Sequence, residues 1–160
     1  MVRKAITQDI SRIAEIIVFG KRVAYRPIFQ DDKVSFNEIQ VIHLLEEFNS
    51  NPEKLDYMRV FDDGIVKGVI NGKSIVDEWE ICEFYVDPFF KRQGIGKELL
   101  KHVIAEIKEY RKKRIFLWVL EENIPARQFY ESVGFHANGE TCLVEGTNKV
   151  DMCYEYFLNN

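Results

Sequence analysis

Residues 84–97 of this 160-residue chain read Phe84-Tyr85-Val86-Asp87-Pro88-Phe89-Phe90-Lys91-Arg92-Gln93-Gly94-Ile95-Gly96-Lys97. An apolar run stops at Asp87-Pro88 and helical apolar spacing begins after the glycines, so this segment is predicted to join a strand to a helix. Glycines at positions 94 and 96 let the backbone approach a ligand closely. A helix that begins there directs free N–H groups and about half a positive charge at the ligand, which favours a diphosphate. The alternative is an ordinary helix start that happens to contain glycines.

Two common nucleotide-binding motifs do not fit this loop. A Walker loop requires Lys-Ser or Lys-Thr after its last glycine, whereas Gly96 is followed by Lys97-Glu98. A dinucleotide fingerprint requires a third glycine at the position that Leu99 occupies. The anion site is therefore predicted to be of another kind.

Upstream of the loop, the apolar spacing predicts an antiparallel meander. Residues 57–61, 65–70 and 78–86 have the composition of strands, and turn signals stand at Asp62-Asp63-Gly64 and Asn71-Gly72. Downstream, a helix carries one apolar face, formed by Leu99, Leu100, Val103, Ile104 and Ile107.

The C-terminal third continues with strands and one more helix. Residues 115–120 lack polar alternation, which indicates a central strand covered on both faces, and Trp79 and Trp118 are predicted core residues. A helix is predicted after Asn123, closed by glycine at position 134. Two further strands are predicted over residues 140–144 and 150–157.

The N-terminal part predicts a short strand and two helices. Asp9 stands at an N-cap position, before an apolar stripe of Ile10, Ile13, Ala14, Ile17 and Val18. Residues 20–34 are expected to be irregular, and Ser35 with Glu38 forms a capping box for the second helix. The predicted order is strand, two helices, three strands, helix, strand, helix and two strands, a mixed sheet with helices on both faces.

Composition limits the function classes. The chain is 46% hydrophobic and 13% aromatic, which is enough to fill the core of one domain. A net charge of -4 argues against a nucleic-acid partner. The longest apolar run covers only residues 115–120, so neither a signal peptide nor a membrane partner is expected. Three cysteines without metal-ligand spacing are typical of a cytoplasmic protein without disulfides.

Two spaced motifs strengthen the prediction for the loop. The strand end Phe84-Tyr85-Val86-Asp87-Pro88 precedes the loop, and the downstream motif comprises Asn123, Ala126, Phe129, Tyr130, Glu131, Gly134 and Phe135. In this order and on these elements, the motifs resemble the GNAT superfamily of acetyl-CoA-dependent N-acetyltransferases. Lys91 departs from the family pattern, where Gln or Arg is usual, and lysine lacks the planar fork of arginine.

The resemblance implies an α/β fold of the α+β type in a single domain over residues 1–160. Its sheet would be mixed and mostly antiparallel, with about six to seven strands and helices on both faces. Acetyl-CoA would be the cosubstrate, with its pyrophosphate on the loop. The residues implied to bind it are Phe84, Tyr85, Val86, Lys91, Arg92, Gln93, Gly94, Ile95, Gly96, Lys97, Asn123, Ala126, Phe129 and Tyr130.

The resemblance also implies a mechanism of direct attack by a primary amine in a ternary complex. Backbone groups of Phe84 and Val86 would bind the pantetheine amides, and an N–H near Val86 would serve the oxyanion. A lysine-like amine has a pKa near ~10.4, so a base is needed, and Glu80 is the candidate, directly or through water. Tyr130 is the candidate acid for the departing thiolate. The alternatives are a solvated strand residue for Glu80, a buried core aromatic for Tyr130 and a pure N-cap for Asn123.

The acceptor is not identified by any motif. In the superfamily the first two helices and the region of residues 20–34 form the acceptor side, and an acidic protein mildly favours a cationic amine such as an aminoglycoside, a polyamine or a protein N-terminus. No metal is predicted, because His43, His102 and His136 lie on separate elements. A homodimer is left open. The alternative function is a non-catalytic acyl-CoA-binding sensor or interaction module with the same fold.

Overall fold

The computed structural model describes residues 1–158, so the last two positions of the predicted domain lie outside the described residues. In chain order, the strands and helices are β1 (Val2–Lys4), α1 (Ile10–Phe29), α2 (Val41–Ser50), β2 (Arg59–Asp62), β3 (Val66–Ile75), β4 (Glu78–Val86), α3 (Ile95–Glu109), β5 (Arg114–Leu120), α4 (Ile124–Ser132), β6 (His136–Leu143) and β7 (Val150–Phe157). The predicted order of elements is confirmed.

The strands form a seven-stranded sheet in the order β1-β2-β3-β4-β5-β7-β6. The pairs β1–β2, β2–β3, β5–β7 and β6–β7 are antiparallel, and β4 runs parallel to β5. Only two residues join β3 to β4, a connection short enough for antiparallel neighbours alone. The sheet is therefore mixed and mostly antiparallel, as predicted.

The chain divides into two compact units. The first comprises Met1–Gly72 and Glu83–Val103, and the second comprises Lys73–Cys82 and the chain from Ile104 onward. In the first unit, α1 buries its apolar stripe against α2 and strands β2 and β3; the core members include Ile10, Ile13, Ile16, Ile17, Phe48, Val60 and Val69. In the second unit, buried side chains include Trp79, Ile107, Ile115, Leu117, Tyr130, Phe135 and Tyr154.

Within the first unit, helices cover both faces of β3. A Cβ atom on Gly68 would lie 2.9 Å from Leu99 Cδ1 and 3.1 Å from Ile95 Cγ2, so this face meets the start of α3. The next residue, Val69, belongs to the core cluster of α1. Because successive strand residues point to opposite faces, α1 and α3 lie on opposite sides of β3. The missing side chain at Gly68 lets α3 approach closely.

The expectation of an irregular stretch over residues 20–34 is wrong for its first part, because α1 continues to Phe29. Gly20 is used for close packing, since a Cβ atom there would lie 2.5 Å from Tyr85 Cδ1. Pro27 stands in the helix, and α1 ends at Gln30 in the left-handed conformation, with φ of 52°. Tertiary packing therefore overrides two residues that commonly break helices.

The predicted capping box of Ser35 and Glu38 is wrong. Both lie in a π-helical turn, Val34–Glu38, and α2 begins later, after Gln40. The Ser35 N–H donates to the Asp31 carbonyl at 3.0 Å, and its own carbonyl accepts from Arg22 Nε at 2.9 Å. A contact from α1 thus fixes the turn.

Two smaller expectations are also wrong. Strand β3 continues through Asn71-Gly72 to Ile75, and the turn lies at residues 76–77, where the Asp77 carbonyl accepts from the Lys113 N–H at 2.7 Å. Trp118 is 37% exposed, so β5 is not covered on both faces at that position, whereas Trp79 is 4% exposed, as a core residue should be.

Candidate functional site

The loop before α3 presents backbone N–H groups. Arg92 and Gly94 both adopt positive φ, 63° and 81°. The Glu98 N–H donates to the Gly94 carbonyl at 3.0 Å, which makes Gly94 the residue at the helix start. The N–H groups of the first helical residues, from Ile95 to Lys97, precede this bond and have no acceptor within the helix. Such a concavity of N–H groups is a typical anion site.

The same loop is open and positively charged. No heavy atom lies within 4 Å of the position that a Gly94 Cβ would take. The side chains of Lys91, Arg92 and Lys97 are exposed, whereas Ile95 is 3% exposed and anchors the helix start in the core. An anion on the loop would thus meet three cationic side chains as well as the backbone.

Asp87 fixes the passage from β4 into the loop. Its side chain is almost fully buried, pairs with the Arg12 guanidinium of α1 and accepts from the Phe89 N–H at 2.8 Å. Its N–H donates to the Lys67 carbonyl at 2.9 Å. In the sequence, Asp87-Pro88 indicates only the end of a strand. Its partners on α1 and β3 lie too far away in the sequence to be recognised.

The end of β4 carries the predicted residues Phe84, Tyr85 and Val86, all half-buried. Helix α1 lies against the face that displays Glu83 and Tyr85. Lys21 Nζ is 2.7 Å from Glu83 Oε1, and the hydroxyls of Tyr25 and Tyr85 are 2.9 Å apart. By the alternation of a strand, Phe84 and Val86 point to the other face. These contacts with α1 hold the strand end beside the loop.

Glu80 lies in the paired half of β4, opposite Phe116 of β5. Its Oε2 is 2.8 Å from Lys73 Nζ, and its side chain is 18% exposed against 58% for the lysine. The hydrogen bond that Lys73 donates to Glu80 raises the pKa of Lys73. Glu83 has a different partner, Lys21, as expected from its odd spacing from Glu80. No signal in the sequence identifies Lys73 as the partner of the candidate base.

Tyr130 is 9% exposed and lies in an aromatic cluster of the second unit. Its ring centroid is 5.5 Å from that of Phe129, 5.8 Å from that of Phe135 and 6.5 Å from that of Tyr154. The Tyr154 hydroxyl donates to Glu131 Oε1 at 2.7 Å. Burial of this kind fits a core aromatic, and the role of Tyr130 as an acid stays a prediction.

Asn123 caps α4, as predicted. Its Oδ1 accepts from the Ala126 N–H at 3.3 Å. Phe129 is half-buried beside Tyr130. The predicted contacts of Asn123, Ala126 and Phe129 with a cofactor stay predictions.

The predicted residues form two groups. The loop and the strand end, from Phe84 to Lys97, belong to the first unit, whereas Glu80, Asn123 and Tyr130 belong to the second.

Across residues 1–158, no three His, Cys, Asp or Glu side chains are arranged to hold a metal ion. In the same part of the chain, none of the helices has the length and apolar character required to cross a membrane.

Curated relatives are similar over part of the chain. Spermine/spermidine N(1)-acetyltransferase of Bacillus subtilis (strain 168) is 41% identical over 71 residues, which is 44% of this chain and 43% of that protein. The ribosomal protein bS18-alanine N-acetyltransferase of Escherichia coli (strain K12) is 37% identical over 62 residues, 39% of this chain and 42% of that protein. The chain thus spans less than half the length of either relative.

Solved structures match over nearly the whole chain. PaiA N-acetyltransferase from Thermoplasma acidophilum, crystallised in complex with coenzyme A, aligns with a TM-score of 0.77 and 22% identity over 98% of both chains. YncA of Salmonella typhimurium, with its cofactor acetyl-CoA, aligns with a TM-score of 0.71 and 19% identity over 99% of this chain and 94% of that one. The fold is the same. The model of the acetyltransferase (GNAT) family matches residues 22–135, well over half of the sequence, and the chain belongs to that family.

Proposed function

We propose that this protein is an acetyl-CoA-dependent N-acetyltransferase that acetylates a primary amine of a small molecule or peptide by direct attack in a ternary complex. The loop before α3 carries the proposal, because it offers unbonded N–H groups and three cations to a diphosphate at the end of β4. Membership in the GNAT family supports acetyl-CoA as the molecule that contains this diphosphate.

The cofactor would lie along the end of β4. In this proposal the pyrophosphate binds the loop from Lys91 to Lys97, and the backbone of Phe84, Tyr85 and Val86 binds the pantetheine amides. An N–H near Val86 would stabilise the oxyanion of the tetrahedral intermediate, usually one of the larger contributions in acyl transfer. Lys21 and Tyr25 would support this strand from behind through Glu83 and Tyr85.

The proton transfers are assigned to Glu80 and Tyr130. Glu80 would take a proton from the ammonium group of the acceptor, directly or through water, after which the amine attacks the thioester carbon. Collapse of the intermediate breaks the C–S bond, and Tyr130 would protonate the departing thiolate. The second proton of the attacking nitrogen would then restore the Tyr130 hydroxyl, directly or through water. Asn123, Ala126 and Phe129 would contact the cofactor from the region of α4.

The acceptor is proposed to be a cationic amine. One relative is named for spermine and spermidine and another for the alanine of a ribosomal protein, so a polyamine and a protein N-terminus are the first candidates. The net charge of -4 favours attraction of such cations and disfavours nucleic acid.

The protein is further proposed to be a single-domain cytoplasmic enzyme, in line with cysteines that are all free. A homodimer stays a prediction.

The ion pair between Lys73 and Glu80 favours one alternative, a non-catalytic acyl-CoA sensor with the same fold. A carboxylate held by a lysine can be purely structural. An assay for free thiol released from acetyl-CoA distinguishes the acetyltransferase from the sensor. The acceptors to be tested are spermine, spermidine, an aminoglycoside and an alanine-initiated peptide. We expect amine-dependent thiol release with at least one acceptor. Tight CoA binding without such release with any amine would favour the sensor.

The first prediction tests the cofactor site. Coenzyme A should raise the melting temperature, because a ligand that binds only the folded state adds about 2.7 kcal/mol of stability at 100 times its Kd. Gly94→Glu should abolish the shift, since a carboxylate would then occupy the open anion site. Gly139→Glu is the matched control, because Gly139 also has positive φ and open space around it but lies on β6. Equal shifts in both variants would show that the loop does not hold the diphosphate.

A further inference from the structure

The C-terminal half of α1 forms one wall of an open cleft of about 700 Å³, and the segment that follows it forms the other. This volume is within the usual range for small-molecule sites, about 300–1,000 Å³. We infer that the cleft binds a small organic anion, a carboxylate attached to an apolar or planar body. The cleft overlaps residues 20–34, the region that the superfamily resemblance assigns to the acceptor side. The inferred anion is distinct from the proposed cationic acceptor, and the inference does not require the proposed transferase activity.

Two arginines in the cleft are held in place by aromatic rings. The Arg22 guanidinium lies between two rings, 5.7 Å from the Phe19 centroid and 5.2 Å from the Phe36 centroid. The Arg26 guanidinium lies 5.6 Å from the centroid of the same Phe36 ring. These contacts with aromatic faces restrict the two side chains, so less side-chain freedom is lost on binding an anion.

Arg22 keeps donor capacity for a ligand. Its Nε donates to the Ser35 carbonyl and its Nη2 to the Ile39 carbonyl, both at 2.9 Å. These neutral acceptors leave its charge unpaired, and no carboxylate in the described chain forms an ion pair with it. Its Nη1 remains to donate to an incoming anion. A guanidinium in this state prefers a carboxylate or phosphate oxygen.

Arg26 is paired only weakly. Its Nε and Nη2 donate to Asp32 Oδ1 and Oδ2 at 2.6 and 3.2 Å, but the two side chains are 54% and 67% exposed. Exposed pairs of this kind contribute little to stability, so a ligand carboxylate can replace Asp32 at low cost. Arg22, Arg26 and Asp32 together leave the cleft with one net positive charge.

The walls provide the apolar part of the site and show local irregularity. Val23 and Phe36 both line the cleft and are 48% and 46% exposed, so their apolar surface is available to a ligand. Pro27 cannot donate the helical bond to the Val23 carbonyl, and Gln30 adopts the left-handed conformation. Unfavourable local features of this kind, grouped in one cleft beside a π-helical turn, are typical of binding sites.

Fluorine NMR with fluorobenzoate as the probe and fluorobenzamide as its neutral analogue tests this inference without acetyl-CoA. We expect saturable broadening for fluorobenzoate and much weaker broadening for fluorobenzamide. Arg22→Met and Arg26→Met should each weaken fluorobenzoate binding roughly tenfold or more, since a charge-assisted hydrogen bond is lost. Asp32→Asn should strengthen it, because the competing carboxylate is removed.

Arg59→Met is the matched control, because Arg59 Nη1 also donates to two backbone carbonyls but lies on β2. It should bind fluorobenzoate like the wild type. If Arg22→Met unfolds the protein, Arg26→Met decides alone, because Arg26 is exposed. Equal binding of the two probes, unchanged binding in Arg26→Met, or loss of binding in Arg92→Met on the loop before α3 instead would each overturn the inference.

Discussion

At the scale of single residues, Glu80 has both a structural and a chemical role open to it. Its Oε2 is engaged by Lys73, whose pKa the hydrogen bond raises, so this lysine is charged at neutral pH. The ion pair is partly exposed and leaves Oε1 for a second partner. A water or an ammonium group at Oε1 would be placed for proton transfer without breaking the pair.

Replacing Glu80 separates these roles. Glu80→Gln should lower the turnover number roughly 100-fold at a pH below neutral, where the acceptor is protonated and a base is required. Raising the pH should recover part of the rate, because free amine accumulates. Initial rates of thiol release against pH provide the measurement. Lys73→Met is the control: if it lowers the rate as much as Glu80→Gln, only the ion pair matters and the base lies elsewhere.

Tyr130 is placed by packing against three other aromatic rings, so the ring and the hydroxyl can be tested separately. Tyr130→Phe should keep the contacts with Phe129 and Phe135, the stability and the affinity for CoA. If its hydroxyl protonates the thiolate, the turnover number should fall roughly 100-fold. Single-turnover kinetics with saturating acetyl-CoA would measure this fall.

The matched control for Tyr130→Phe is Tyr154→Phe. The Tyr154 hydroxyl accepts from Arg127 Nε and donates to Glu131, so its loss should lower stability and leave the chemical step unchanged. Native-like turnover in Tyr130→Phe would assign the proton to water and leave Tyr130 as a core aromatic.

At the scale of elements, the sequence predicts well wherever a signal is local. The glycines before α3, the N-cap Asn123 and the apolar stripe of α1 each act within one turn or one helix, and each lies where it was expected. Prediction failed where a distant contact decides the outcome. Glycine at position 20 predicts the end of a helix, yet α1 continues through it. Tyr85 of β4 occupies the space that a side chain at this position would need.

Gly20→Ala tests this contact. The new Cβ would lie 2.5 Å from Cδ1 and 3.0 Å from Cβ of Tyr85, too close to the strand backbone for a simple side-chain rotation. We expect a loss of about 1–2 kcal/mol in the free energy of unfolding, because overpacking outweighs the helix propensity of alanine. Urea denaturation would measure it.

The double variant gives the sharper result. In a Tyr85→Ala background the contacts with the ring are gone and only the contact with Cβ at 3.0 Å remains, so Gly20→Ala should destabilise clearly less than it does in the wild type. The same destabilisation in both backgrounds would mean that the close approach of Tyr85 is not the reason for glycine at this position.

At the scale of the whole molecule, the order of the elements and the mixed sheet followed from the sequence alone. The motif residues of the candidate site could be proposed from the sequence because each motif lies within one short segment, and their roles stay predictions. Their partners were not: Lys73, Lys21 and Arg12 meet Glu80, Glu83 and Asp87 across separate elements, and single charges carry no signal of their pairing. The same holds for Arg3, which joins the N-terminal strand to the rest of the first unit.

The ion pairs of Arg3 make the stability of the first unit depend on pH. Its guanidinium donates to Asp9 Oδ2 at 2.7 Å and to Asp62 Oδ2 at 2.7 Å, and these hydrogen bonds lower the pKa of both carboxyls below the ordinary value of 3.8. A carboxyl with a lowered folded pKa contributes stability that is complete above the unfolded pKa. That contribution is lost as the pH falls through the folded pKa.

Arg3→Met should therefore lower the free energy of unfolding by about 2 kcal/mol at neutral pH, because charged hydrogen bonds are lost and the buried Asp9 keeps its charge. The difference from wild type should shrink as the pH falls from 3.8, the ordinary carboxyl pKa, toward the lowered pKa values that both carboxyls have in the folded protein. Urea denaturation over a pH series would measure it. Lys4→Met, on the same strand, removes an exposed pair with Asp56 and should have little effect at any pH. A constant Arg3→Met difference down to strongly acidic pH would mean that packing of the arginine, and not its charge, stabilises the first unit.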